Sequence, residues 1–195
     1  MNEEYVALVG LALGFSLTVP PGPMNALIAN RSMRSLRAGI TTGLGAMTAD
    51  AILGTLVYAI HAWVDLGALV RWVEAVGAVV LAVMVYRLFQ ETSTVDTPPS
   101  SDVRVYSAAL VVGISNPFQI LWWVSAGLAF AYLGGAALFF GLFAAIAIWV
   151  VIFPYALTEG ARRDPRVPRI VSLVSAALLA GFAGFFALSA AGISL

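Results

Sequence analysis

Six stretches of this chain are apolar over lengths that cross a lipid bilayer, and they constrain its fold more than any other feature. They lie near residues 5–30, 39–62, 67–89, 105–132, 135–157 and 169–192, and about 20 helical residues span the roughly 30 Å of hydrocarbon. Inside hydrocarbon every backbone N–H and C=O needs a partner within the protein, so only helices or a closed barrel can cross. Runs this long select helices, and the expectation is an all-α membrane protein with six transmembrane helices. Composition agrees, with 61% of the 195 residues hydrophobic and 10% charged, against about 25% charged in soluble domains. The start, "MNEEYVALVG", is acidic where a cleaved leader has a basic n-region, and no small-x-small site follows. It reads as a retained first helix.

All ten basic residues are arginine, and ten acids balance them. Net charge therefore carries no sign of a nucleic-acid partner, and the information lies in where the arginines fall. Arg31, Arg34 and Arg37 follow the first span, Arg87 and Arg104 flank the polar linker 91–104, and Arg162, Arg163, Arg166 and Arg169 separate the fifth and sixth spans. Only Arg71 falls on the other side. The positive-inside rule makes those three connections cytoplasmic and both termini extracytoplasmic, in a multi-pass protein of the cell membrane. Tyr5, Tyr58, Trp63, Trp72 and Tyr132 near the outer boundary, and Tyr86, Tyr106 and Tyr155 near the inner one, fit the same frame.

The linker sits at the middle of the chain and carries Pro98-Pro99. It divides the sequence into residues 1–90 and 105–195, three spans each. "LALG" (Leu11–Gly14) resembles "LVVG" (Leu110–Gly113), and "GLGAMTA" (Gly43–Ala49) resembles "GLFAAIA" (Gly141–Ala147), at offsets of 99 and 98. An internal duplication of three helices, an odd number, gives two inverted repeats, as in many transporters. At these offsets the counterpart of Asp50 is Ile148.

The first and fourth spans are broken. Pro20, Pro21 and Pro23 remove three backbone donors, and Gly22 permits unusual dihedrals, so regular helix cannot run through "VPPGP". Counting from Tyr5 at about 1.5 Å per residue, the break lies on the order of 20 Å deep. Irregular backbone at that depth is tolerated only inside protein or against a water-filled cavity. Asn116-Pro117 interrupts the fourth span about 17 Å in from Val105 on the same rise. Paired breaks in two halves point to a central substrate site; the plainer alternative is two kinks used only for packing.

Asp50 is an acid roughly 16 Å into the second span. A carboxylate there costs about 2.5–3.5 kcal/mol on insertion scales and usually marks a substrate or proton path, although a packing partner for a neighbouring hydroxyl is the bland reading. Gly43, Met47, Asp50 and Gly54 share one helix face at i, i+4, i+7 and i+11. Trp122, Trp123 and Trp149 lie deep enough to shape a pocket. Arg71 and Glu74, at i and i+3, read as an interfacial ion pair rather than a gate, and His61 as a surface residue.

The block "GFSLTVPPGPMNALIANRSMRSLRAGITTGLGAMTADAILG" resembles the signature region of the LysE/RhtB family of amino-acid exporters, closely over 14–54 and loosely elsewhere. The resemblance implies a Pro-Gly-Pro-Asn break, a glycine-spaced second helix and an acid within it. Those roles fall on Pro21, Gly22, Pro23, Asn25, Gly39, Gly43 and Asp50, with Asn116 and Pro117 as the second motif. Two departures stand out. Met24 holds the usual Asn position, displacing Asn25 by one residue, and Phe118 stands where the family's second motif commonly continues with Lys.

The expectation is a secondary transporter, not an enzyme, that exports an amino acid or similar small zwitterion on a proton gradient. Its substrate would touch Pro21, Gly22, Pro23, Met24, Asn25, Asp50, Asn116, Pro117, Trp122, Trp123 and Trp149, with Asp50 also the coupling candidate. No cofactor and no bound metal are expected, and the partners are the amino acid, the lipid bilayer and, compatibly, a second copy in a homodimer. An intramembrane serine enzyme needs a histidine beside its nucleophile, and His61 is at a boundary. Without cysteine, thiol chemistry and thiolate metal sites are excluded. An exporter of another small solute or of an oxygen-ligated metal ion, and a passive channel, remain open alternatives.

Overall fold

The computed structural model describes residues 3–60, 101–125 and 136–190, with Ala75, Ala78, Val79, Ala82, Val83 and Tyr86 between them. The linker before Ser101, most of the expected third span, and His61, Trp63, Arg71, Trp72, Glu74, Arg87 and Tyr132 lie outside the described residues. Among those described there are seven helices and no strand: α1 (Glu3–Thr18), α2 (Pro23–Arg34), α3 (Leu36–Ile60), α4 (Asp102–Ile114), α5 (Pro117–Ser125), α6 (Ala136–Arg163) and α7 (Val167–Ala190).

The sequence sets these boundaries by familiar chemistry. Glu3 and Glu4 sit in the first turn of α1, where the helix dipole favours acids, and Arg31 and Arg34 in the last turn of α2, where it favours bases. Pro20 and Pro21 stop α1, and Pro23 opens α2 at a position where its missing N–H costs nothing. Ser35 then serves two helices. Its N–H donates to the Arg31 carbonyl at the end of α2, and its Oγ accepts from the Ala38 N–H at the start of α3, at 3.0 Å. In α5 the Asn116 side chain caps the break, its Oδ1 accepting from the Phe118 N–H at 3.1 Å.

The two breaks bend the chain sharply, by 74° between α1 and α2 and by 53° between α4 and α5. α3 and α6 are each long and apolar enough to cross a membrane, and each bent pair passes the same test when joined. Large apolar side chains face outward, among them Phe140, Val103, Val111 and Leu173. Lipid, not water, suits such a surface, and the protein is a multi-pass membrane protein.

Close approach of small residues holds the bundle together. A Cβ built on Gly14 of α1 would stand 2.7 Å from the Ala145 Cβ of α6, one on Gly10 would overlap the Leu138 carbonyl, and one on Gly141 would overlap that of Ala7. A second seam joins α3 to α4: a Cβ on Gly45 would stand 2.6 Å from the Tyr106 carbonyl oxygen and 2.8 Å from the Ala109 Cβ, and one on Gly113 2.6 Å from the Ala49 Cβ. Each helix contributes a small-xxx-small pair (Gly10/Gly14, Gly45/Ala49, Ala109/Gly113, Gly141/Ala145), the pattern that lets membrane helices pack backbone to backbone.

The order of contacts gives helix direction. Gly10 and Gly14 meet residues 138 and 142, and Gly45 and Ala49 meet residues 106–110 and 113, so α1 runs parallel to α6 and α3 parallel to α4. Gly43 meets Val150 while Gly39 meets Pro154, so α3 and α6 are antiparallel. It follows that α1 and α4 point in opposite directions. Arg37 pairs with Asp102 across the starts of α3 and α4, and the Thr158 hydroxyl donates to the Ser32 carbonyl across the ends of α6 and α2. All described arginines (31, 34, 37, 104, 162, 163, 166 and 169) therefore gather at one end of the bundle.

Candidate functional site

Where the two breaks meet, a cavity of about 40 Å³ opens between α2, α3, α5 and α6. Pro20, Gly22, Pro23, Met24 and Asn25 line it from the first break, Asn116, Phe118 and Gln119 from the second, Asp50 from α3 and Trp149 from α6. Asp50 is 3% exposed and is the only buried acid among the described residues.

Asp50 is held by α5. Its Oδ1 accepts from the Gln119 side-chain amide and from the Trp123 indole N–H, each at 3.0 Å. Gln119 Oε1 in turn accepts from the Asn116 amide at 3.2 Å, and Asn116 Oδ1 from the Phe118 N–H. Every bond in this chain is donated toward the carboxylate. Oδ2 takes no bond from the described residues, and Asp50 lines the cavity. Gly54 makes room for the tryptophan: a Cβ there would stand 2.6 Å from its ring.

The two half-helices present different ends. α5 is capped by its own Asn116. α2 is capped by Gly22, in extended conformation and without a side-chain bond, and its first intrahelical bond is Ala26 N–H to the Gly22 carbonyl. The Met24 and Asn25 amides lie ahead of that bond, at the positive end of the helix dipole. Asn25 itself spends its side chain on the break: its Nδ2 donates to the Thr18 and Pro20 carbonyls, the latter at 2.9 Å, and its Oδ1 accepts from the Trp149 indole at 3.1 Å. Those are carbonyls that the break in the helix leaves without a helical donor.

Of the residues expected to touch substrate, the cavity gathers Gly22, Pro23, Met24, Asn25, Asp50, Asn116 and Trp149. Pro21 lines a neighbouring cavity instead. Pro117 is fully buried behind the break, and Trp123 reaches the site through its bond to Asp50. Trp122 does not line the cavity; it packs edge-on against Trp123, with centroids 5.2 Å apart. Gln119, the main support of Asp50, escaped the sequence reading, although a buried amide three residues beyond a broken transmembrane helix is a signal of the same kind as the acid.

A family model described as "LysE type translocator" matches residues 15–190. No curated protein and no solved structure matches the chain.

Proposed function

This chain belongs to the LysE type translocator family, and from that premise we propose that it is a secondary transporter exporting an amino acid or similar small zwitterion on the proton gradient. One observation carries the reading: a single cavity has the N-terminus of α2, which no side chain caps, on one wall and the buried Asp50 carboxylate on another. Helix N-termini bind carboxylates through amides and dipole together. The Met24 and Asn25 amides then receive the substrate carboxylate, and the open Oδ2 of Asp50 receives its ammonium or, in alternation, the coupling proton. An isolated charge of either sign would satisfy only half of this site.

The cavity admits a few water molecules, at roughly 10–15 Å³ each, and not an amino acid. This is a closed conformation, and loading requires the half-helices to part at their breaks.

Two inverted repeats, 1–90 and 105–195 around the linker 91–104, are part of the proposal. Its support is the pair of seams. Ala7, Gly10, Leu11 and Gly14 of α1 correspond to Tyr106, Ala109, Leu110 and Gly113 of α4 at an offset of 99, while Gly45 and Ala49 correspond to Gly141 and Ala145 at 96. On this proposed register Asp50 corresponds to Ile146, which lines the cavity, where the sequence offset of 98 pairs it with the half-exposed Ile148. The arginine-rich end is cytoplasmic by the positive-inside rule, with both termini outside.

Uptake of a labelled amino-acid panel into everted vesicles, with and without an imposed proton gradient, tests the function. Gradient-stimulated uptake of at least one amino acid supports it. Uptake of none, or flux indifferent to the gradient, refutes coupled export and leaves the channel and ion readings.

A further inference from the structure

Behind the Asn25–Trp149 pair lies a second cavity of about 370 Å³, between α2, α6 and α7. Its walls are apolar, built from side chains such as Val19, Ala26, Phe153, Leu157, Val174 and Leu178. Among the described residues no acidic or basic side chain lines it, and its polar groups are Asn25, Ser175 and the Trp149 indole. Asn25 and Trp149 also line the first cavity, so the 3.1 Å bond between them is a shared wall. Trp149 stacks on Phe153, centroids 4.9 Å apart and planes 11° from parallel, which turns an aromatic surface toward the apolar side.

Size and chemistry suit one occupant. Ligand pockets typically enclose about 300–1,000 Å³ of mostly apolar surface with a few placed polar groups, and an engineered apolar cavity of about 150 Å³ holds benzene. The first cavity offers groups for a charged head and no room for a tail; the second offers room for a tail and no partner for a charge. We infer that the apolar chamber receives the side chain of the transported zwitterion, so that the protein favours amino acids with bulky aliphatic or aromatic side chains over small or charged ones. The inference rests on the export reading above. A lysine or arginine head in this chamber would lose its hydration without a counter-charge, which is costly, whereas leucine or phenylalanine gains by burial.

The test uses the full-length protein in proteoliposomes, by counterflow of labelled leucine, phenylalanine, alanine and lysine. Expected is a KM for leucine and phenylalanine at least tenfold below that for alanine and lysine. Val174→Trp fills the chamber from α7, where Val174 is half exposed and the added ring has room to settle. It should raise the leucine KM tenfold or more and move the alanine KM less than twofold. Should that variant not fold, Val171→Phe fills the chamber from the same helix with the same expectation. A wild-type preference for alanine or lysine overturns the inference. So does a parallel change for leucine and alanine in the variants, including one in which bound lipid falls while selectivity stays constant, the outcome expected of an acyl-chain site. Counterflow with the wrong selectivity leaves the export reading standing; counterflow of no amino acid removes both.

Discussion

Replacing Asp50 separates its chemistry from its packing, because the structure assigns the two roles to different oxygens. Oδ1 accepts both protein bonds, from Gln119 and Trp123, and Oδ2 accepts none from the described residues. Asparagine placed with its carbonyl at Oδ1 keeps both bonds and puts its NH₂ where Oδ2 stood. Each bond weakens from the charge-assisted range of about 1.5–3 kcal/mol to the neutral range of about 0.5–1.5 kcal/mol. Against that loss, a buried charge whose desolvation costs several kcal/mol is removed. Asp50→Asn should therefore unfold within about 1 kcal/mol of wild type. Asp50→Leu instead strands the Gln119 amide and the Trp123 indole, both nearly inaccessible, at about 1–3 kcal/mol each. A loss of about 2–6 kcal/mol is large against a total stability of about 5–15 kcal/mol. Reversible unfolding in mixed detergent micelles measures both variants, and counterflow at equal reconstituted protein measures transport. Neither should transport, and only the leucine variant should be unstable. Wild-type transport by Asp50→Asn would end the functional reading of the acid, and equal stability of the two variants would end the assignment of the bonds.

Gln119→Leu removes one bond to Asp50 and leaves the buried Asn116 amide without its acceptor, so it should lower stability by about 2–4 kcal/mol in the same unfolding assay; a change under 0.5 kcal/mol would contradict the network. Gly141→Ala overpacks the α1–α6 seam and should cost about 1–3 kcal/mol, whereas Gly181→Ala, where an added methyl meets nothing within 4 Å among the described residues, should be neutral or stabilise by up to about 1 kcal/mol; equal effects would refute the packing argument. Gly54→Ala pushes on the Trp123 ring and should impair transport more than insertion, measured as counterflow per membrane-inserted protein. Cysteines introduced singly at Ser100 and Ser194, in a chain with none of its own, should label from opposite sides with an impermeant reagent, and labelling of both in intact cells would overturn the topology.

Proline and charge wrote the parts of this site that sequence could reveal. A tertiary amide without an N–H breaks a helix wherever it falls, so both bends were legible, and an acid in an apolar run is conspicuous without coordinates. Which of two adjacent tryptophans faces that acid is not legible. Consecutive helical residues point about 100° apart, and only the rotation of α5 decides that Trp123 bonds Asp50 while Trp122 does not. The bonding of Asn25 was hidden for a different reason: its Nδ2 donates to backbone carbonyls at the break, which have no letter in the sequence. Apolar segments match by chance at several registers, so sequence alone leaves the offset between the proposed repeats weakly defined. In the proposed repeat the small residues at the seams, Gly10 and Gly45 against Ala109 and Gly141, are spaced more closely in the second half.

The seams also bear on how the chain is made. Among the described helices α1 packs most closely on α6, and Gly10 and Gly141 are separated by about 130 residues of chain. At synthesis rates of about 5–20 residues per second, roughly 7–25 s elapse between the emergence of the first glycine face and that of the helix that covers it. During that interval the small-residue face of α1 lacks the helix that meets it in the finished protein, and any other helix with a matching face could take its place. Among the described helices both seams join one from residues 1–90 to one from residues 105–195, so a ribosome stalled in the linker would leave these small-residue faces without those partners, a natural target for membrane quality control.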